Sequence, residues 1–380
     1  MNPNRYLFDS KVRSTDGMIS VSQLQTFLSC PKKWSYNYIE NLTPRVERPY
    51  LTIGKLCHKG MQAAMIAAWK DQQNNLCTDY YSTGKWLTWS QQGLSAMERE
   101  YTEYMEVTPL LTEEIPTFEQ ILIDAQAVFI QAFEEFEPWK YEVITFDING
   151  KKMPALELHF VVPCPPTKGM HGYIDAILKD INSGFDFVWC VDYKFRKSLA
   201  PNEDESYNIQ NSVYAYACNK LGVDITGTMT WQHVNTPAAI PQILKNGTVS
   251  RAKIKTTWEK YAKTVIQIGD NPSDYQEEMK PKLADIEWYR KTCEYRNQDT
   301  IERIWQDCIT PVAKKIKAAH GEKTTNYRSL YPWNCKMCQY QSLCQAELRN
   351  YDAQYIRQND YIRRIPRSVS PLPDVELNDE

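Results

Sequence analysis

Apolar positions recur along this chain at two different periods, and the change between them marks its organisation. From Ser20 the period is helical: Ser20-x-x-Gln23 reads as a capping box ahead of Leu24, Phe27 and Leu28. Cys30-Pro31 interrupts that helix, and a second helical stretch carries Trp34 and Tyr38. A third runs from about 54 to 69 with Leu56, Met61, Ala64 and Met65 on its apolar side. Residues from about 87 to 137 are mainly helical and end in the stripe Phe129, Phe133 and Phe136, which reads as core packing. Between Tyr141 and Val191 the period falls to two. Runs at about 141–148, 155–162, 171–179 and 185–194 are separated by Asn149-Gly150, Pro163 to Pro166 and Asn182-Ser183-Gly184, turns short enough for three antiparallel hairpins. A helix over about 203–221 and a strand over about 225–234 follow. The segment from about 250 to 320 is helical again, with a break near 270. This order predicts an α/β fold with one mixed central sheet flanked by helices.

Composition narrows the picture. With 380 residues, 42% of them hydrophobic, the chain can build a sizeable core, and residues 1–363 are expected to form a single domain. The tail from 364, with Pro366, Pro371 and Pro373, is expected to be disordered. A net charge of −3 excludes nucleic-acid binding through a general positive excess, so any such site must be local. No run of 18 or more apolar residues and no basic-then-apolar leader is present, so a cytoplasmic protein without a membrane partner is expected. Eleven cysteines, an odd number, suit buried thiols and metal ligands better than a disulfide framework. Seven of them (Cys57, Cys77, Cys164, Cys190, Cys218, Cys293 and Cys308) stand alone and receive no role.

The candidate chemistry begins where Phe187 to Val191, apolar on both faces, runs into Asp192-Tyr193-Lys194. A side-chain period of two puts Asp192 and Lys194 on one face and leaves the Tyr193 carbonyl beside them. An isolated Asp-x-Lys is usually a partly solvated ion pair. The preceding strand changes that preference, because Gly172-Tyr173-Ile174-Asp175 can set a second carboxylate across from Asp192, with Gly172 admitting a backbone or a phosphate. Two carboxylates, a carbonyl and waters make the hard oxygen site favoured by Mg²⁺ or Mn²⁺. The ion and Lys194 could then activate water and stabilise charge on a phosphodiester.

Gly172-x-x-Asp175, Asp192-x-Lys194 and Gln210-x-x-x-Tyr214, in this order, resemble the core of RecB-like PD-(D/E)XK nucleases, including recombination exonucleases and CRISPR adaptation nucleases. The resemblance spans Ser20 to about Cys344, and Leu244 to Ser250 is similar to bacteriophage members, which would place the protein in a host cytoplasm. It implies that His58, Asp175, Asp192 and the Tyr193 carbonyl bind metal, that Glu157 is the acidic residue of the preceding strand, and that Gln210 and Tyr214 orient Lys194 or meet phosphate. Read alone, His58 is as well explained by helix packing, Glu157 by the solvent face of an alternating strand, and Gln210 and Tyr214 by one packed helix face.

Cys335-x-x-Cys338-x5-Cys344 places three thiols within ten residues, and Cys30, far upstream, is the candidate fourth ligand. Four cysteines serve zinc and iron–sulfur centres alike. The iron–sulfur branch of the resembled family has one cysteine before the catalytic motifs and three after them, which implies a [4Fe–4S] cluster clasping the two ends of the domain. Nothing else in the sequence obliges residues beyond 330 to return to the first helix. The function implied is a Mg²⁺- or Mn²⁺-dependent DNA exonuclease acting in recombination, repair or phage DNA processing, with a helicase or recombination protein as a candidate partner. The alternatives are an endonuclease of the same fold and a non-catalytic DNA-binding iron–sulfur subunit. A redox protein lacks any flavin or nicotinamide motif to support it.

Overall fold

Ser20 ends a strand and begins a helix at the same residue. The computed structural model describes residues 17–45, 49–74, 84–107, 115–148, 150–321 and 327–363. Strand β1 (Met18–Ser20) runs directly into α1 (Val21–Ser29), and the Ser20 hydroxyl accepts from the Gln23 amide at 3.1 Å. Only half of the expected capping box forms: Gln23 Oε1 has no hydrogen-bond partner, because Ser20 itself lies in a ladder opposite His171. Extended Cys30 separates α1 from α2 (Pro31–Trp34), which continues as a π-helical turn to Ile39. After β2 (Leu42–Pro44) come three long helices, α3 (Pro49–Gln73), α4 (Lys85–Val107) and α5 (Ile115–Phe136).

The strands follow as β3 (Tyr141–Val143), β4 (Thr145–Ile148), β5 (Lys151–Pro154), β6 (Leu156–Val162), β7 (Gly169–Asp180) and β8 (Val188–Arg196). Then come α6 (Glu203–Ser206), α7 (Ile209–Leu221), β9 (Gly227–Val234), α8 (Trp258–Gln267), α9 (Ser273–Ala284) and β10 (Tyr289–Tyr295). Helix α10 (Gln298–Ile304) passes through a π-helical turn into α11 (Thr310–Gly321). The C-terminal elements are α12 (Pro332–Lys336), α13 (Gln341–Leu348), α14 (Ala353–Asp360) and β11 (Tyr361–Arg363).

The central sheet is mixed and is built around β7. One edge of β7 carries β6 and then β3, both antiparallel. The other carries β1, parallel, at Gly169 to His171 and β8, antiparallel, at Ala176 to Lys179. Beyond β8 lie β9, parallel, and β10, antiparallel. One face of the sheet packs under α3, α4 and α5, with Leu56, Met61, Phe129, Phe133, Tyr193 and Trp231 buried there. The opposite face packs against α1, α7 and α11 through Leu24, Phe27, Tyr214 and Ile316, over Phe160, Ile174 and Cys190. The α/β fold with a mixed sheet between helices is therefore the one present.

Four local expectations need correction. The run 141–148 does not form a hairpin with 155–162. It breaks at Ile144, whose amide donates to Ile177, and β4 instead pairs with β5, Phe146 opposite Met153, in a ribbon off the main sheet. The helix expected over 203–221 is two helices, because the Asn208 side chain accepts from the Gln210 amide at 3.0 Å and starts α7 afresh. The helical segment from 250 contains the edge strand β10, whose charged Arg290, Lys291 and Glu294 hid its alternation. The C-terminal return does not depend on thiols alone. Strand β11 pairs antiparallel with β2, and the Tyr340 hydroxyl donates to the Leu42 carbonyl at 2.7 Å. Glu347 accepts from Tyr36 at 2.7 Å, lies 3.2 Å from Lys32 and also binds Arg328 and Arg357. Cys77, Asn149 and the tail expected from 364 lie outside the described residues.

Candidate active site

Pairing around β7 leaves one place in the sheet where strand partners are missing. On the edge shared by β1 and β8, the ladder stops at His171 on one side and resumes at Ala176 on the other. Gly172 to Asp175 border this gap, and β8 leaves β7 just before Asp192. Where the next ladder bond would fall, the Asp175 carboxylate takes over: its Oδ2 accepts from the Tyr193 amide at 2.7 Å. The split directs the two carboxylates differently. Val191 and Tyr193 belong to the core under α3 to α5, so Asp192 turns towards α7, while Asp175 lies below His58 on α3.

On the α7 side, Asp192 is only 2% exposed and holds Lys194 Nζ at 2.7 to 2.8 Å through both oxygens. Gln210 bridges the pair: its Nε2 donates to Asp192 at 3.0 Å and its Oε1 accepts from Lys194 at 3.2 Å. The same amide donates to the Tyr214 hydroxyl at 2.7 Å, one helical turn on. Gln25 of α1 donates to Gln210 Oε1 at 3.3 Å and completes the set. No sequence pattern pointed to Gln25, which lies 185 positions from its partner. Burial pushes the Asp192 carboxyl up to about 6, with Lys194 opposing and Asp175 adding to the shift.

On the α3 side, His58, Glu157 and Asp175 each place a ligand atom within 4.8 Å of the others. His58 Nδ1 lies 3.7 Å from Asp175 Oδ2. Glu157 reaches the group through an irregular backbone. Its φ of +45° is in the left-handed region, a costly conformation for a long side chain, and it sits where the pairing of β6 with β7 skips from Leu156 to Leu158. Leu156 and Leu158 consequently join opposite cores, and Glu157 faces the fork instead of following simple alternation. Burial pushes its carboxyl up to about 8, Asp175 adds to the rise and Lys59 opposes it. Two carboxylates crowded until one resists ionisation, with an imidazole beside them, form a donor set that suits a divalent cation.

The expectation for Gly172 changes. It does not make room for a phosphate: a Cβ there would meet Phe160 at 2.8 Å and Val21 at 2.9 Å, so glycine permits core packing. Of the basic residues that follow Lys194, Arg196 is drawn inward to Gln232 Oε1 at 3.2 Å and to Glu205 at 3.7 Å, while Lys197 is exposed. Glu205, unsuspected from sequence, is buried and accepts from Asn208 at 2.9 Å and, at 2.8 Å, from Thr230, the β9 residue paired with Asp192. On the face of β6 and β7 that carries the fork, His159 stacks on Tyr173 at 4.5 Å and lies 3.5 Å from His171, ring nitrogen to ring nitrogen.

A second cluster lies at the clasp. Cys30, Cys335, Cys338 and Cys344 all line one cavity of about 220 Å³ with Lys32, Lys33 and Arg328. Cys30 Sγ accepts from the Ser329 amide at 3.5 Å, and Cys344 Sγ from Arg328 Nε at 3.3 Å. Among the described residues no three of these sulfurs lie within 4.8 Å of one another. The remaining described cysteines are free thiols, of which Cys57, Cys164, Cys190 and Cys218 are buried.

The sequence profile of the PD-(D/E)XK nuclease superfamily matches residues 18–345. No curated protein matches the sequence significantly. Among the described residues no helix is long and apolar enough to cross a membrane.

Proposed function

The chain belongs to the PD-(D/E)XK nuclease superfamily, and from that premise we propose that it is a DNA exonuclease dependent on Mg²⁺ or Mn²⁺. The observation that carries this reading is the fork between β7 and β8, which assembles His58, Glu157 and Asp175 on one side and Asp192, Lys194 and Gln210 on the other. A divalent ion held by His58, Asp175, Asp192 and the Tyr193 carbonyl, with Glu157 beside them, would polarise the phosphodiester and favour ionisation of the attacking water. Lys194 can release one of its bonds to Asp192 and donate to charge growing on the phosphate oxygens. Gln210 keeps Lys194 in register throughout, since it holds both members of the ion pair and is itself fixed by Gln25 and Tyr214. Water adds to phosphorus, the ester bond to the leaving nucleotide breaks, and the departing oxygen takes a proton.

We assign a [4Fe–4S] cluster to the four cysteines. The four thiols around one cavity, with Lys32, Lys33 and Arg328 beside them, support an anionic metal–thiolate centre. The order of one cysteine before and three after the catalytic motifs favours iron–sulfur over zinc. In this reading residues 1–363 act as one domain closed by the cluster segment. Protein purified without oxygen should be brown and contain about four irons per chain; colourless protein with one zinc would reject the assignment.

The activity is tested with end-labelled linear DNA and closed-circular DNA, each incubated with Mg²⁺ or Mn²⁺. Degradation of the linear form alone supports an exonuclease. Cutting of the circle would make it an endonuclease, and loss of neither substrate would reject the nuclease reading.

A further inference from the structure

His233 is wholly buried near the end of β9, yet its ring nitrogen Nε2 makes no hydrogen bond. The other nitrogen, Nδ1, lies 2.7 Å from the Val234 carbonyl. A carbonyl only accepts, so Nδ1 carries the proton and Nε2 is left with a lone pair. That lone pair meets Glu135 on the last turn of α5: Nε2 and Glu135 Oε2 stand 3.2 Å apart, and the oxygen too is buried without a hydrogen bond. The two atoms are close enough to bond but are not aligned to do so, as befits two donors converging on a third atom. Both are held in place. Gln131 donates to the other Glu135 oxygen at 3.1 Å, and the His233 ring stacks on Trp231 at 5.7 Å with 22° between the planes. Glu135 borders an open cleft of about 520 Å³ that Glu134, Glu137 and Tyr289 also line, so water and ions can reach it.

We propose that His233 Nε2 and Glu135 Oε2 are two ligands of a divalent cation of the Mn²⁺ class, which pins α5 to the central sheet. A cation about 2.1 Å from each donor would set them roughly 3.0–3.4 Å apart, a range that contains the 3.2 Å observed. Waters from the cleft complete the coordination. A proton in place of the ion would require a charged imidazole with no exposure to solvent, paired through a misaligned bond, and that arrangement is costly. The Nδ1–H bond to a backbone carbonyl is the outer support that metal-bound imidazoles use. None of these donors belongs to the set His58, Glu157 and Asp175, so the inference does not depend on the nuclease reading. The ion would still bear on the fork, because Phe129 of α5 packs at Gly60 of α3, two residues beyond His58.

The experiment uses the full chain carrying His58→Ala, which removes the imidazole of the fork, and Mn²⁺ as the probe, an ion that thiols of the clasp bind poorly. Electron paramagnetic resonance counts the bound Mn²⁺ and reads hyperfine coupling to an imidazole nitrogen. One bound Mn²⁺ per chain should show that coupling. Adding Glu135→Gln, which keeps the side-chain shape and removes the ligand charge, should weaken this ion at least about 10-fold. Adding His233→Asn should abolish the coupling. If His233→Asn does not fold, Glu135→Gln decides, since Glu135 is partly exposed and its substitution leaves the helix intact. Absence of any nitrogen-coupled Mn²⁺ in the His58→Ala chain would overturn the proposal and leave His233 and Glu135 as a proton-sharing pair. Coupling of undiminished affinity in the presence of Glu135→Gln would overturn it too, by placing the ion on another histidine.

Discussion

In the proposed mechanism, Lys194 is the residue at which ion pairing and catalysis separate. Its two contacts to Asp192 look like an ordinary salt bridge, but Gln210 contacts both partners and fixes the ammonium at the mouth of the fork. Lys194→Ala should therefore lower turnover about 100- to 1,000-fold, the range for removing one donor to transition-state charge, with metal affinity little changed. Steady-state cleavage and metal titration together check this, and equal turnover with and without Lys194 would refute it. Glu157 gives a second residue-scale prediction. Its folded pKa, about 8, lies above the ordinary 4.5, so between those values the folded protein holds the proton more firmly than the unfolded chain. Metal-free protein should then lose stability as pH rises from 4.5 through 8. Thermal unfolding in chelator at several pH values should show this fall, Glu157→Gln should flatten it, and Mn²⁺ should oppose it. Asp192 and Lys194 stood out in the sequence because charges following an apolar run are conspicuous, and Asp175 through Gly172-x-x-Asp175; the structure brings the three side chains to the fork. Glu157 was ambiguous because simple alternation places it in solvent, and only its left-handed backbone turns it to the fork.

Helix α3 holds His58 over the fork, and its position depends on two glycines. A Cβ at Gly93 of α4 would lie 2.3 Å from the Phe129 ring and 2.8 Å from the Gly60 carbonyl of α3. Gly60 is equally tight, since a Cβ there would stand 2.8 Å from both Met97 and Phe129. The backbones of α3 and α4 approach too closely for any side chain between them. Gly93→Ala should destabilise the protein by about 1–3 kcal/mol through overpacking, lowering the denaturant midpoint, and should lower activity by displacing His58. An unchanged midpoint would contradict this packing. The helical periods of α3 to α5 predicted these elements correctly, as did Phe129, Phe133 and Phe136 as core. The glycine contact had no sequence signal, since a glycine inside a helix looks merely unfavourable. Strand β10 was hidden for a related reason: an edge strand needs few apolar residues, and its pairing with β9 is a tertiary fact.

At the scale of the molecule, the chain closes on itself twice, through the central sheet and through the clasp. The sequence showed the four cysteines but not the polar hub that accompanies them. Against the upward push of burial, Tyr36, Lys32 and Arg357 hold the Glu347 carboxyl below its usual range. Glu347→Ala would remove the carboxylate shared by Lys32, Arg328 and Arg357, leaving Arg357 with Glu40, and should cost about 1–3 kcal/mol, discounted for partial exposure. Limited proteolysis should then cut near Tyr331 to Trp333. Cys30→Ser should remove iron and colour yet leave this segment more protected than Glu347→Ala does, because β2 still pairs with β11. Faster cleavage in Cys30→Ser would show that the thiols dominate the clasp. Every role given to the fork depends on whether it cleaves DNA. The most direct measurement follows release of nucleotides from end-labelled DNA by wild-type protein and Asp192→Asn side by side in Mn²⁺, with DNA binding recorded for both. The expected result is metal-dependent release by the wild type and none by Asp192→Asn, with binding nearly equal; release by both proteins at the same rate would contradict it.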